Sequence, residues 1–151
     1  DDPHRQQEAR SERVISMRRL REGVLRDLGW LMNTSNLSSV HDLALFPRVA
    51  ESVLNYGVPD LTGLTVSSVN VGELERVIHQ AVLRFEPRLL PHTVRVRVVA
   101  SDEHMSHNAL TFFIEAQLWA QPLPLQMFLK TEIDLELGSV AVVEQNAQET
   151  R

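Results

Sequence analysis

In the stretch RFEPRLLP, residues 84–91, a glutamate and an arginine flank a proline just where a helical pattern ends. Three chemistries are open to Glu86, Pro87 and Arg88. The first is a local ion pair at a helix stop, worth at most ~1 kcal/mol if exposed. The second is catalysis. Hydrolysis of a glycosidic bond needs two carboxyls about 5 Å or about 6.5–9.5 Å apart, one of them a proton donor. Glu86 is the natural acid, with Asp102 or Glu115 as the second group. The third is a rigid clip for another protein, since proline fixes the direction of both charges. A glutamate at a helix C-terminus faces the negative end of the dipole, which calls for compensation by a neighbour or a partner.

A second cluster, SDEHMSHN, brings Asp102, Glu103, His104 and His107 together between two strand patterns. Two histidines with carboxylates are metal-ligand chemistry. HxxH on a loop nevertheless lacks the helical i,i+4 geometry of HExxH, and a solvated polar loop is the reading the spacing favours. The sequence contains no GxSxG, GxGxxG, P-loop or Cys–His pattern. With two Trp and one Tyr it is poor in the aromatics that line sugar sites. The expectation is no catalytic residue, no metal and no cofactor.

The chain of 151 residues is one domain by length, and 43% hydrophobic content suffices for a core. A formal net charge of -5 argues against a dedicated nucleic-acid binder. Without cysteine there is no disulfide framework and no thiolate metal site. No apolar run approaches the ~20 residues of a membrane helix, and DDPHRQQEAR at the start has no signal core. The lack of cysteine is compatible with a reduced compartment, and the lack of a long apolar run argues against direct membrane insertion.

Residues 1–12 are charged and read as a flexible lead-in. From Met17 to Met32 the residues Leu20, Val24, Leu28 and Leu31 form one helical stripe. Pro47 suits the first turn of a second helix, with Val49, Val53 and Leu54 on its apolar face and Gly57 as its stop. A third helix carries Val71, Leu74, Val77, Ile78, Ala81, Val82 and Phe85 at helical spacing. Asn70 and Glu73 have the layout of a capping box, and Pro87 ends the run.

After Pro91 the period changes to two. Val94, Val96 and Val98 alternate with Arg95 and Arg97; Phe112, Ile114, Ala116 and Leu118 share one face of a second strand. Met127, Leu129, Thr131, Ile133, Leu135 and Leu137 share one face of a third, and Gly138–Ser139 offers a tight turn into a fourth. The expected fold is α+β: three N-terminal helices on a mostly antiparallel sheet of about four C-terminal strands. The single domain spans 13–143, and 144–151 is a polar tail. Its core is expected at Leu28, Leu31, Val77, Ile78, Val82, Phe85, Ile114, Leu118, Ile133 and Leu135.

Taken in series, RDLGWLMNT (26–34), FPRVAESVLNYGVPDL (46–61) and VIHQAVLRFEPRLL (77–90) resemble the GPW-like family of phage-tail baseplate wedge proteins, historically labelled lysozyme-like, in its type VI secretion (TssE-type) branch. The resemblance extends over about residues 13–143. It implies a structural, non-enzymatic subunit of a contractile injection machine at the cytoplasmic face of the bacterial inner membrane. The implied partners are the wedge proteins TssF and TssG, with TssK close by, and the sheath subunits TssB and TssC. It also implies that Glu86, Pro87 and Arg88 bind a partner. The lysozyme label supplies the alternative, a peptidoglycan hydrolase.

A sheet of about four strands has open edges, and an open edge accepts an added strand. The candidate for sheath attachment is Val140, Ala141, Val142 and Val143, a short run flanked by Glu144.

Overall fold

The computed structural model of the chain describes residues 4–100, 108–120 and 123–145, with side chains from residue 16 onward apart from Ala100. Helix α1 spans His4–Met32, α2 Pro47–Ala50 and α3 Val71–Phe85. The strands follow as β1 Arg95–Ala100, β2 Ala109–Leu118, β3 Leu125–Asp134 and β4 Val140–Glu144. The domain is α+β as the periodicities indicate.

Helix α1 reaches back into the segment read as a lead-in. That segment has no apolar period, but half of its twelve residues are Arg, Gln or Glu, which have good intrinsic helix propensity. Further along, Val24, Leu28, Leu31 and Met32 are buried and Leu20 is half-buried. The helix ends with its last carbonyls satisfied: the Asn33 side chain donates to Gly29 O at 2.8 Å and Thr34 Oγ1 to Trp30 O at 2.7 Å.

The second helix is shorter than its pattern suggests. One turn, α2, is followed by a 3-10 turn over Val53–Asn55, and Val53 and Leu54 stand exposed. The chain there is anchored by polar groups instead. Asn55 is buried; its Oδ1 accepts from Ser38 N and Oγ, and its Nδ2 donates to Ala50 O. Gly57 then runs against the end of α1, with Val58 N donating to Thr34 O at 2.9 Å. Its φ is +127°, and a Cβ there would stand 2.3 Å from Thr34 O, so only glycine fits.

Helix α3 forms as its period requires. Asn70 Oδ1 accepts from Glu73 N at 3.1 Å, while the Glu73 carboxylate turns to Arg76 rather than back to Asn70. Half of the capping box is therefore realised. Leu74, Ile78, Ala81 and Val82 are buried; Val77 and Phe85, expected in the core, are half-buried along one flank of the helix.

The sheet is an antiparallel meander in the order β1-β2-β3-β4. Both long helices cover one face, α3 over β1 and α1 over β4. On that face Leu110, Phe112, Ile114, Ala116 and Leu118 of β2 oppose Ile133, Thr131, Leu129, Met127 and Leu125 of β3. Thr131 is fully buried there, its hydroxyl without a hydrogen-bond partner among the described residues. The connection from β3 to β4 is longer than a two-residue turn. Asp134 Oδ1 accepts from Glu136 N and Leu137 N, and Gly138 N donates to Asp134 O at 2.7 Å. That turn leaves the strand period after Leu135, so Leu135 is buried and Leu137 is 79% exposed. Among the described residues no helix is long and apolar enough to cross a membrane.

Candidate functional site

Pro87 forces Glu86 out of helical geometry, to φ −125° and ψ 76°, so α3 stops at Phe85. The chain then joins the end of β2: Trp119 N donates to Arg88 O and Leu90 N to Gln117 O, both at 2.8 Å. These bonds hold the Arg88 backbone between the end of a helix and the end of a strand.

The Arg88 side chain folds back on Glu86. Its Nε donates to Glu86 Oε1 at 2.7 Å and its Nη2 to Oε2 at 2.6 Å, a bidentate pair. Arg88 N adds a bond to Oε1 at 3.2 Å. Nη2 also reaches across to α1, where Asp27 Oδ2 accepts at 2.5 Å. Gly23, one turn before Asp27, leaves room for this: a Cβ there would stand 3.3 Å from Arg88 Nη1. Asp27 accepts from Arg26 Nε as well, and the Arg26 guanidinium lies 4.9 Å from the centre of the exposed Trp30 ring. Tyr56 packs edge-on against Phe85 with ring centres 5.0 Å apart.

Glu86 is only 3% exposed. Of the three residues expected to bind a partner, Pro87 and one edge of Arg88 reach the surface, and Glu86 supports them from below. The compensation that a glutamate at a helix C-terminus calls for is supplied within the domain, by Arg88.

The Glu86 hydrogen bonds hold the Arg88 guanidinium above its ordinary range; partial burial opposes this and the Asp27 bond adds to it. The Arg26 bond is the largest cause holding the Asp27 carboxyl below 3.8, with burial acting against it and Arg88 adding to it. Burial raises the Tyr56 phenol, reinforced by the negative fields of Asp27 and Glu86. A folded-state value below the unfolded one means that Asp27 stabilises the fold above 3.8 and ceases to do so as pH falls through its lowered value. The stability of Asp27→Asn should therefore fall less steeply than that of wild type below about pH 4, measured by urea titration across pH. Parallel acid limbs for the two proteins would contradict the linkage.

This arrangement is poorly suited to general acid catalysis. A proton donor must present its carboxyl to substrate, whereas both Glu86 oxygens accept from a guanidinium in a buried position. The carboxylate nearest in the network is Asp27, and Arg88 lies between the two. Glu115 lies on the other face of the sheet, where it accepts from Gln126 Nε2 at 3.2 Å. Asp102, Glu103, His104 and His107 lie outside the described residues. Among the described residues no group of three or more His, Cys, Asp and Glu could hold a metal.

The sheet edges are treated unequally. Bonds from Asp134 N to Ser139 O and from Gln145 N to Phe128 O set the phase of the β3–β4 ladder. In that phase Ala141 and Val143 pair with β3, while Val140, Val142 and Glu144 turn their backbone outward. Asn33 occupies the first of these positions as a strand residue would. Its Oδ1 accepts from Val140 N at 3.0 Å and its Nδ2 donates to Val140 O at 2.9 Å. Among the described residues Val142 and Glu144 have no backbone partner on this side. At the other edge α3 covers β1, with Glu75 accepting from Val98 N at 2.8 Å and His79 Nε2 lying 3.1 Å from Val94 O. Arg21 of α1 closes the far end of β4, bound to the Glu144 carboxylate at 2.7 Å.

Sequence reasoning did not assign Asp27, Asn33, Glu75 or His79 these roles. Asp27, Glu75 and His79 are ordinary polar helix-surface residues by type, Asn33 is an ordinary residue just past a helix end, and the partner of each lies farther along the chain.

The family model described as Baseplate wedge protein gp25 matches residues 18–123. No match was found to a curated protein or to a solved structure. The matched span includes Asp27, Glu86, Pro87 and Arg88 and ends before β3 and β4.

Proposed function

Because the chain belongs to the Baseplate wedge protein gp25 family, we propose that it is a structural subunit of a contractile injection baseplate of the type VI secretion kind. In this reading it joins the wedge proteins TssF and TssG near TssK, at the cytoplasmic face of the bacterial inner membrane. It has no catalytic role. The observation that carries the reading is that one matched span contains both halves of the Asp27–Arg88–Glu86 network. Buried Glu86 fixes Arg88, and Pro87 and Arg88 form the outward surface that a wedge protein would meet.

Co-expression with TssF and TssG, followed by recovery on a tagged chain, tests this. Recovery of both with the chain is expected, and incubation of the purified chain with peptidoglycan should release no soluble fragments. Steady release abolished by Glu86→Gln would overturn the structural role in favour of the hydrolase.

The edge of β4 is the proposed attachment point for the sheath subunits TssB and TssC. Among the described residues Val142 and Glu144 have no backbone partner on that side, and strand addition needs little else. Proline at Val142 removes an outward N–H while leaving the β3–β4 pairing bonds in place. Baseplates carrying folded Val142→Pro should retain the wedge and start roughly tenfold fewer sheaths, counted by microscopy of a labelled sheath subunit. Normal sheath numbers would eliminate this edge.

A further inference from the structure

A groove of about 310 Å³ lies between α3 and the segments 36–39 and 55–59. Val77, Ala81 and Phe85 of α3 supply its apolar side. Its polar lining is rich in donors left over from other bonds. Arg84 Nη1 donates to Ala50 O at 3.2 Å, which orients the guanidinium. The Nε–Nη2 edge of Arg84 has no partner among the described residues. That is the edge Arg88 gives to Glu86. Gln80, one turn before Arg84, accepts from Arg76 Nη1 through its Oε1, and its Nε2 has no acceptor among the described residues. Asn36 Oδ1 accepts from Ser39 N and Oγ, and its Nδ2 is unmatched in the same way. No carboxylate lines the groove. Glu51, Asp60 and Glu86, close to it in the chain, lie outside the lining; Asp60 accepts from Thr62 N, and Glu86 is held by Arg88.

We propose that this groove receives an acidic side chain, next to an apolar one, inserted by a partner protein. A surplus of donors with no carboxylate beside them selects an anion, and the open edge of Arg84 matches a carboxylate bidentately. Side chains at i and i+4 of a helix stand about 5–6 Å apart, so Gln80 and Arg84 can share one carboxylate. The apolar side of the groove then takes the stem of the acidic residue and its apolar neighbour. A nucleic acid would need several cations along its backbone, whereas Arg84 is the one cation in the lining. A free small molecule is held by burying about 70–90% of its surface. Here Ser38, Gln80 and Arg84 stand exposed along the groove, so the carboxylate must arrive on a larger surface that closes the rim. The proposal does not rest on the baseplate reading, since it uses none of Glu86, Pro87 and Arg88.

The test uses the full ¹⁵N-labelled chain and three probes: a short capped peptide with a central glutamate between two leucines, its glutamine counterpart, and free glutarate. The glutamate peptide should saturably shift Arg84 Nε and the side-chain amides of Gln80 and Asn36, with affinity falling as salt rises. Arg84→Gln should weaken it roughly tenfold. Gln80→Glu should weaken it severalfold while leaving Arg84 in place, because it offers Arg84 a carboxylate of its own one turn away. Arg97→Gln, an exposed cation of β1 outside the groove, should leave binding unchanged. No saturable binding up to millimolar peptide would overturn the proposal. So would equal binding of the glutamine peptide, unaltered binding to Arg84→Gln, or glutarate binding at the same groups as tightly as the peptide.

Discussion

Arg88→Ala is expected to lower the free energy of unfolding by roughly 2–4 kcal/mol, read from urea denaturation at neutral pH. Removing one partner of a buried ion pair leaves an uncompensated charge and costs about 3–5 kcal/mol when both are buried. Glu86 meets that condition, with its side chain 2% exposed, but Arg88 is 33% exposed, which lowers the figure. Glu86→Ala should cost less, because Arg88 keeps Asp27 and contact with water. A cycle with the double variant should then show a coupling of about 1–3 kcal/mol. A loss below ~1 kcal/mol in Arg88→Ala would mean that the network is an ordinary surface pair.

The second large effect lies in α3. Ile78 is fully buried at the centre of its apolar face. Ile78→Ala should cost about 2–5 kcal/mol through lost transfer energy and the cavity left behind. It should do so with Asp27, Glu86 and Arg88 unaltered, so the two variants separate packing from charge. An unchanged urea midpoint would remove Ile78 from the core.

The readable parts of the fold were those where one physical requirement acts alone. In α3 and in β2, one face in the core and one outside imprint a period on the residues, and the buried set follows from it. Around α2 that rule failed: Val53 and Leu54 look like a packing face, but the segment is held by Asn55 and the Gly57 crossing, which leave no periodic trace. Leu137 continues the alternation of β3 on paper, yet Asp134 starts the turn before it. The site was half legible. Pro87 marks a rigid stop and the charges on either side of it are plain, but the inward turn of Glu86 depends on Arg88 meeting Asp27, 61 positions earlier. Asn33 on Val140 is hidden for the same reason, 107 positions away. Pairings of that kind are fixed by topology, not by local sequence.

The proposed surface through which this chain enters a baseplate wedge is Pro87 and Arg88, supported by Glu86. Its most direct measurement is the affinity of the purified chain for a TssF–TssG complex, compared between wild type and Pro87→Asp. Pro87 is exposed but also stops α3, so its replacement acts on the backbone as well as on the surface, and the comparison is made with variant protein shown to be folded by its urea midpoint. Saturable binding by wild type and at least a ~10-fold loss, about 1.4 kcal/mol, in the folded variant is the predicted result. Equal affinity of the two proteins, or no binding by wild type, would contradict it.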